Sequence, residues 1–438
     1  MKNSTKPLEI LNIFDTSSVQ MRTFHITWLT FFMCFFAWFG IAPLMPTIRE
    51  DLGLTKAQVG NTIIAAVSAT IIARLLIGRL CDTWGPRKTY TCLLIVSSIP
   101  VYLVGFSHSY ETFLLFRFAI GIIGASFVIT QYHTSVMFAP NIKGTANAVA
   151  GGWGNLGGGI TNMLMPIVFA SIVALGYTHS QAWRLAMILP GTLLLIAAYL
   201  YYNFTKDTPS GNFEDIDRVL ILKEKPNTKE VLTDWRVWAL TIAYSICFGM
   251  EITFDNVAAL HFVDNFRVDQ KNAGFLAGLF GFLNIFARAL GGIFADKIGR
   301  KKGLTGKGWL LASFIIIEGL GLLIFANSVS LGFAIASMIF FALFLKMANG
   351  ATYALTPFLN TKNVGLVAGI VGAGGNIGGM AMGFLFKSEN ITYAEAFQYI
   401  GIMAIIAGFI VALTKFDLKD QFNGYKFKPE TIAEEIGS

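Results

Sequence analysis

The sequence predicts an all-α membrane protein of twelve transmembrane helices arranged as two pseudo-symmetric six-helix bundles. Three observations carry this. Of 438 residues, 54% are hydrophobic and 13% charged, about half the charged share of a soluble domain. Apolar runs of roughly 20 residues, each enough for a hydrocarbon core of about 30 Å, recur along the chain. Two motifs return at fixed offsets in the second half.

The runs lie at 26–46, 58–80, 89–106, 113–138, 145–175, 183–203, 235–262, 271–294, 307–326, 329–358, 364–386 and 393–414. Two of them, 145–175 and 329–358, exceed one crossing and are expected to include interfacial turns. The first begins near Ile26 and is followed by Arg49 and Glu50, not by a small-residue cleavage site, so no cleavable leader is expected. The 44 glycines suit close helix packing in lipid, where no hydrophobic force joins helices. The four cysteines, Cys34, Cys81, Cys92 and Cys247, have unrelated spacings and read as small buried hydrophobes.

Charge orients the spans. With both termini in the cytoplasm, 23 basic residues fall on that side and 7, Arg117 among them, on the other, while Arg74, Arg288 and Lys346 lie inside spans. This predicts a multi-pass protein of the cell membrane with both ends cytoplasmic. The net charge of +7 does not indicate nucleic acid, because the basic residues sit in short loops between spans. The longest polar connection, 204–234, carries Asp207, Pro209, Gly211, Glu214, Asp215, Lys223 and Pro226. It separates an N-terminal bundle, 1–203, from a C-terminal bundle with a short tail, 235–438.

The halves repeat. Gly78-Arg79-Leu80-Cys81-Asp82-Thr83-Trp84-Gly85-Pro86-Arg87-Lys88 follows span two. Gly292-Ile293-Phe294-Ala295-Asp296-Lys297-Ile298-Gly299-Arg300-Lys301-Lys302 follows span eight at an offset of 214. These are read as gating loops. Gly makes the tight turn, and Asp82, Arg87, Asp296 and Lys301 supply charges that cap helices or pair across the cytoplasmic interface. A second echo relates Gly154-Asn155-Leu156-Gly157-Gly158 to Gly375-Asn376-Ile377-Gly378-Gly379. Homologous halves with a site between them describe a secondary transporter.

Arg74 and Arg288 obey the 214-residue offset too. Each lies eight residues before its motif aspartate, about 12 Å along a helix and hence near the middle of the bilayer. A charge there costs at least about 2.5–3.5 kcal/mol, and no acid in the neighbouring turns offers a partner. The pair therefore points to an anion that visits the site. Nitrate is flat and trigonal, and matches the planar donor fork of a guanidinium. Asn155 and Asn376, centred in the glycine segments beside Gly154 and Gly375, add uncharged N–H donors. Glu251 in span seven is a candidate proton carrier, with a fixed ion pair to Lys346 as the other reading. His133 and Glu318 are expected to be satisfied by local hydrogen bonds. No nucleophile, base or metal constellation appears, so neither an enzyme nor a cofactor is expected. A channel needs no rocking halves, and the tail after Lys415 is short for the signalling domain of a receptor.

At these residues the sequence resembles the nitrate/nitrite porter family of the major facilitator superfamily. It is closer to the high-affinity nitrate transporters of plants and algae than to the enteric exchangers. The resemblance runs through Met21-Arg22-Thr23-Phe24-His25 into Ala42-Pro43-Leu44-Met45-Pro46, through Arg117–Phe138 with Phe127 and Gln131-Tyr132, and through Asn284-Ile285-Phe286-Ala287-Arg288. The glycine–asparagine segments are its most specific part. It implies that Arg74 and Arg288 clamp the anion with Asn155 beside it. It further implies that Tyr244 and Phe248 line the site, and that Phe127 and Phe39 sandwich the substrate. The implied activity is proton-coupled nitrate uptake for assimilation, by a protein expected to act as a monomer. Exchange of nitrate against nitrite is the nearest alternative. His133 stands where plant relatives tend to have Trp, and Lys346 departs from the family pattern.

Overall fold

The computed structural model describes residues 6–214, 228–360 and 364–416, and every extended element among them is a helix. Among the described residues, eleven helical segments are long and apolar enough to cross a membrane. One of them, Gln270–Ala326, holds two crossings separated at Gly303, whose φ of +63° interrupts the helix. The chain is therefore a twelve-span membrane protein.

The first half contains α1 (Val19–Phe39), α2 (Met45–Asp51), α3 (Lys56–Trp84), α4 (Pro86–Leu103), α5 (Tyr110–Ile120), α6 (Ser126–Met137), α7 (Pro140–Ala174), α8 (His179–Ala186) and α9 (Ile188–Phe204). After a short α10 (Thr228–Thr233), the second half contains α11 (Trp235–Phe266), α12 (Gln270–Phe282), α13 (Ala287–Ala326), α14 (Leu331–Leu359), α15 (Val364–Lys387) and α16 (Tyr393–Leu413). Helix starts on the face away from the termini are capped by side chains. Thr55, Ser109, Thr178 and Thr392 form capping boxes, and Asp269 and Ser330 cap α12 and α14. Each cap satisfies an amide that would otherwise face the interface unpaired.

Two expectations change. The overlong runs contain no interfacial turn: α7 is one unbroken helix of 35 residues and α14 one of 29. At 1.5 Å per residue they reach about 52 and 43 Å, enough to cross with tilt and project beyond the bilayer. Conversely, two runs read as continuous are broken at mid-depth. A 3-10 turn, Gly121–Ala125, separates α5 from α6, and another, Leu283–Ile285, separates α12 from α13. Cys92 is exposed, unlike the other three cysteines.

The halves meet along two long pairings, α3 on α15 and α7 on α12. Glycine makes them close. A Cβ on Gly159 would lie 2.7 Å from Gly281 Cα, and one on Gly60 would lie 2.4 Å from Lys387 Cα. Inside each half the glycine segments act alike: a Cβ on Gly157 would meet Phe32 O at 2.1 Å, and one on Gly378 would meet Ser245 O at 1.9 Å.

On the outer face, away from the termini, the halves are bolted together. Arg49 donates twice to Asp264 at 2.9 and 3.0 Å. Thr47 donates to Gln270 at 2.6 Å, and Lys56 Nζ donates to Ile391 O. On the termini face Asp207 and Asp296 make their polar contacts within their own half. The Asp207 carboxylate accepts from the backbone amides of Arg87 (2.8 Å) and Phe213 (3.1 Å), and fills the space beside Gly85, where φ is +83°. Lys307 pairs with Asp296 at 2.8 Å, and Lys301 is exposed. The side chain of Asp82, residues 215–227 of the connection and the tail 417–438 lie outside the described residues.

Gly157→Val and Gly378→Val should each force a helix pair apart. Overpacking of about 1–3 kcal/mol predicts a lower unfolding temperature for the purified protein, measured in detergent, while Gly144→Ala, in open space, leaves it unchanged.

Candidate functional site

The two mid-depth helix breaks position the charges. The 3-10 turn Gly121–Ala125 leaves carbonyls free of the α-helical ladder. Thr70 of α3 donates to Gly121 O at 2.6 Å, and one turn on, Arg74 donates from Nε and Nη2 to Gly124 O, both at 3.3 Å. Its Nη1 crosses the seam to Gly372 O of α15 at 2.6 Å. The Asn376 carboxamide, with its oxygen toward Arg74, accepts from Nη1, Nε and Nη2 at 2.5, 3.2 and 3.3 Å. Asn376 is thus an acceptor for the cation in this state, not a donor to an anion. The guanidinium lies 4.9 Å from the Phe127 ring centre and 5.9 Å from that of Phe248. Each of these partners of Arg74 is neutral, and Arg74 is 6% exposed.

Arg288 follows the second break and is treated differently. Fully buried, it donates from Nη2 to Glu251 of α11 at 2.6 Å. The acid absent from its own neighbouring turns arrives from another helix, 37 positions away in the chain. Lys346 Nζ lies 2.8 Å from the other oxygen of Glu251, so the ion pair read as the alternative role of Glu251 is present. Asn155 and Asn284 donate to Oε1 at 3.2 and 3.1 Å, and Asn349 donates to Oε2 at 2.6 Å. Asn155 is therefore bound to the carboxylate in this closed state. The Nε and Nη1 of Arg288 remain without a hydrogen-bond partner.

Aromatic rings join the two guanidiniums. Tyr244 stacks on Phe248 at 4.9 Å with a 3° interplanar angle, and its hydroxyl bonds that of Tyr353. Tyr353 lies 5.7 Å from Phe127 and 6.0 Å from the guanidinium of Arg288. Glycines seat these rings: a Cβ on Gly375 would strike Phe248 and Tyr244 at 2.6 and 2.8 Å, and one on Gly154 would strike Phe31 at 2.0 Å. Each glycine segment faces the other half's arginine, since Gly151 and Gly372 approach Nη1 of Arg288 and Arg74 at 3.6 and 3.5 Å from their Cβ positions. Phe39 lies apart, packed on Phe35 and Trp38 and beside Gly158.

Sequence reading missed Tyr353 and Asn349. Their signal was the face that Lys346, Asn349 and Tyr353 share on α14 at helical spacing. Asn284 was visible only as part of a family stretch. Arg117, counted among the outer-side basic residues, is fully buried and donates to Asn256 Oδ1 across the seam at 3.0 Å. His133 is satisfied as expected, by Tyr201 Oη at 2.5 Å and Lys206 O at 2.7 Å. Glu318 is not: neither oxygen has a hydrogen-bond partner.

A family model described as Major Facilitator Superfamily matches residues 27–382. High affinity nitrate transporter 2.5 of Arabidopsis thaliana is 36% identical over 411 residues, covering 92% of this chain and 81% of that one. Nitrate transporter 2.1 of Chlamydomonas reinhardtii is 37% identical over 398 residues, covering 88% and 73%. This chain is a member of the high-affinity nitrate transporter family within the major facilitator superfamily. The family is one of transporters, not enzymes. A cyanobacterial nitrate/nitrite transporter from Picosynechococcus is 27% identical, with 92% of this chain and 94% of that one covered. Among solved structures, the inward-facing, unoccupied form of a bacterial homologue of the human lysosomal transporter Spinster shares the fold, with a TM-score of 0.70 at 15% identity over 90% of this chain and 96% of that one.

Glu251→Gln leaves Arg288 and Lys346 without their common counter-ion. A loss of about 3–5 kcal/mol is expected, read as a lower unfolding temperature in detergent. Adding Lys346→Met should recover part of it, and strictly additive losses would show that the two do not act as one pair.

Proposed function

We propose that this chain carries nitrate, and nitrite as a secondary substrate, through the cell membrane by alternating access, with uptake coupled to protons. The observation that carries the reading is Arg74. It is a guanidinium at mid-depth on the seam between halves, held only by carbonyls, an amide and rings. Such a cation is costly in a membrane and is relieved by a small anion. Arg288, the rings of Phe127, Phe248 and Tyr353, and the Tyr244 hydroxyl surround the same place. Gly372 and Asn376 are exchangeable neutral partners that an oxyanion can displace from Arg74.

The nitrate transporter relatives favour this substrate, and the flat shape of nitrate suits both the forks and the rings. With the outer face closed by Arg49–Asp264 and its neighbours, the halves are poised to part on the termini face, which the excess of basic residues assigns to the cytoplasm. The chain is read as working alone, because the site is complete within one copy.

Uptake by the full-length protein in proteoliposomes tests this. Arg74→Ala and Arg288→Ala should each lower nitrate uptake by roughly 100-fold or more, the scale of a lost charge-assisted anion contact, with protein still in the membrane. Arg74→Lys should restore little, since a point charge cannot replace the fork. Normal transport in either alanine variant would remove the clamp. An imposed pH gradient that drives nothing, with internal nitrite restoring uptake, would establish exchange instead.

A further inference from the structure

Two carboxyl groups in the membrane interior lie outside the anion site. Asp255 is on α11 one turn beyond Glu251, is 2% exposed, and has no hydrogen-bond partner on either oxygen. Glu318, on α13, is fully buried and equally without a donor. The charged groups that face Asp255 are Lys346 from α14, Glu251 from α11 and Arg288 from α13, and those that face Glu318 are Glu251 and Lys346. Glu251 already engages both cations, at 2.6 and 2.8 Å. An ionised carboxylate in this setting would have neither water nor a donor.

The two carboxyls differ in place. Glu318 is interior to the second half: its neighbour Gly319 packs against Gly401 O and Ala404 of α16. Rocking of the halves leaves its surroundings intact, so it keeps one protonation state. Asp255 lies on the seam. A Cβ on Gly158 of α7, in the other half, would stand 3.2 Å from Asp255 Oδ2, and the Phe39 ring is adjacent to the same point. Asn162 of α7 reaches the backbone carbonyl of Asp255 at 3.5 Å. When the seam parts, Asp255 meets water, and when it closes, Asp255 loses every donor.

Glu251, by contrast, pairs with two cations and accepts from three amides. A proton arriving there would have to displace that whole set.

We infer that Asp255, rather than Glu251, is the proton-binding group that couples nitrate movement to proton movement. This rests on the reading of the chain as a nitrate carrier. Asp255 lies about 6 Å nearer the outer face than Glu251. With the seam open outward, an Asp255 oxygen takes a proton from hydronium: an O–H bond of the hydronium breaks as one on the carboxyl forms, a water molecule is left, and the other oxygen remains unprotonated. Closure traps that proton, because the ionised form has no donor in the closed seam. The cluster of Arg288, Lys346, Glu251 and Asp255 is then more positive by one charge than before. That extra charge favours the anion at the neighbouring guanidiniums, and the anion reciprocally favours the proton. Opening to the termini face rehydrates Asp255 and returns the proton to water.

The experiment uses full-length protein in proteoliposomes, with nitrate and an internal pH dye. Asp255→Asn should lose pH-gradient-driven nitrate accumulation by roughly tenfold or more, within the usual range of coupling factors. It should retain nitrate–nitrate counterflow, whose external pH dependence flattens. Asp255→Glu, which keeps the titratable group, should restore driven accumulation, and Glu318→Gln should leave it unchanged. Driven accumulation by Asp255→Asn at the wild-type level overturns the inference. If that variant does not fold, carbodiimide labelling of the wild-type protein decides, since the reagent modifies protonated carboxyls in apolar surroundings. Label on Asp255 that declines as pH rises supports the inference, and label on Glu251 with Asp255 unmodified overturns it. Wild-type counterflow separates the two claims. Its absence removes the carrier reading itself, whereas counterflow with no proton movement under an imposed gradient leaves the carrier and removes its proton coupling, and the role of Asp255 with it.

Discussion

The Glu251 carboxylate gathers Arg288, Lys346, Asn155, Asn284 and Asn349 around itself, and the buried polar architecture follows from that convergence. The donors come from α7 of one half and from α13, α14 and the turn before α13 of the other. A carboxylate so placed replaces lost water with a full set of donors, which makes an ionised group tolerable at mid-membrane. It also ties the position of α7 to that of the second half. Any change that parts the seam to this depth removes Asn155 from Glu251.

The same convergence makes the two arginines unlike. The offset in the sequence implies equivalence, and both guanidiniums do sit beside a mid-depth helix break and opposite the other half's glycine segment. Yet Arg74 leans on carbonyls, rings and an amide, while Arg288 leans on a carboxylate that has no counterpart beside Arg74. Arg74 therefore presents the less compensated charge. Arg288 is the one whose availability depends on what the carboxylate does. In the proposed clamp, Arg74 is the jaw whose neutral partners an anion can displace, and Arg288 is the jaw restrained by a carboxylate.

The spans were legible because a bilayer leaves few alternatives: roughly 20 apolar residues with satisfied backbones form a helix. The kinks were not legible. Gly121 and Gly124 resemble ordinary packing glycines, and Leu283–Ile285 contains no breaker at all. The lengths of α7 and α14 were misread because overlong apolar runs suggest turns, although a tilted helix fits equally. Within the site, Arg74, Arg288 and the two asparagines could be read from the repeat, since homologous halves place homologous residues alike. Their partners could not. Glu251 and Lys346 are 95 positions apart, and no local pattern indicates that α11 and α14 face each other at that depth. Lys346 therefore looked orphaned and Arg288 looked unpaired, each for want of the other's carboxylate. Arg117 was misplaced for a similar reason, because a basic residue near a span end looks like a loop charge until its helix is seen to start earlier.

The distribution of polar contacts along the membrane normal indicates how the parts work together. On the outer face the halves are joined by ion pairs and hydrogen bonds of half-exposed groups, such as Arg49 with Asp264. Such bonds are individually weak and exchange readily with water. At mid-depth they are joined by buried polar contacts that water cannot replace, including Arg74 with Gly372 and Asn155 with Glu251. On the termini face, Asp207 with Arg87 and Asp296 with Lys307 brace each half internally. Opening at the outer face thus costs exposed pairs first and then the buried Arg117–Asn256 contact before the separation reaches mid-depth. There, a cation and a carboxylate would lose partners together. A small anion at Arg74 makes good the loss on the cation's side. The centre of the molecule is therefore where substrate and conformation must be linked.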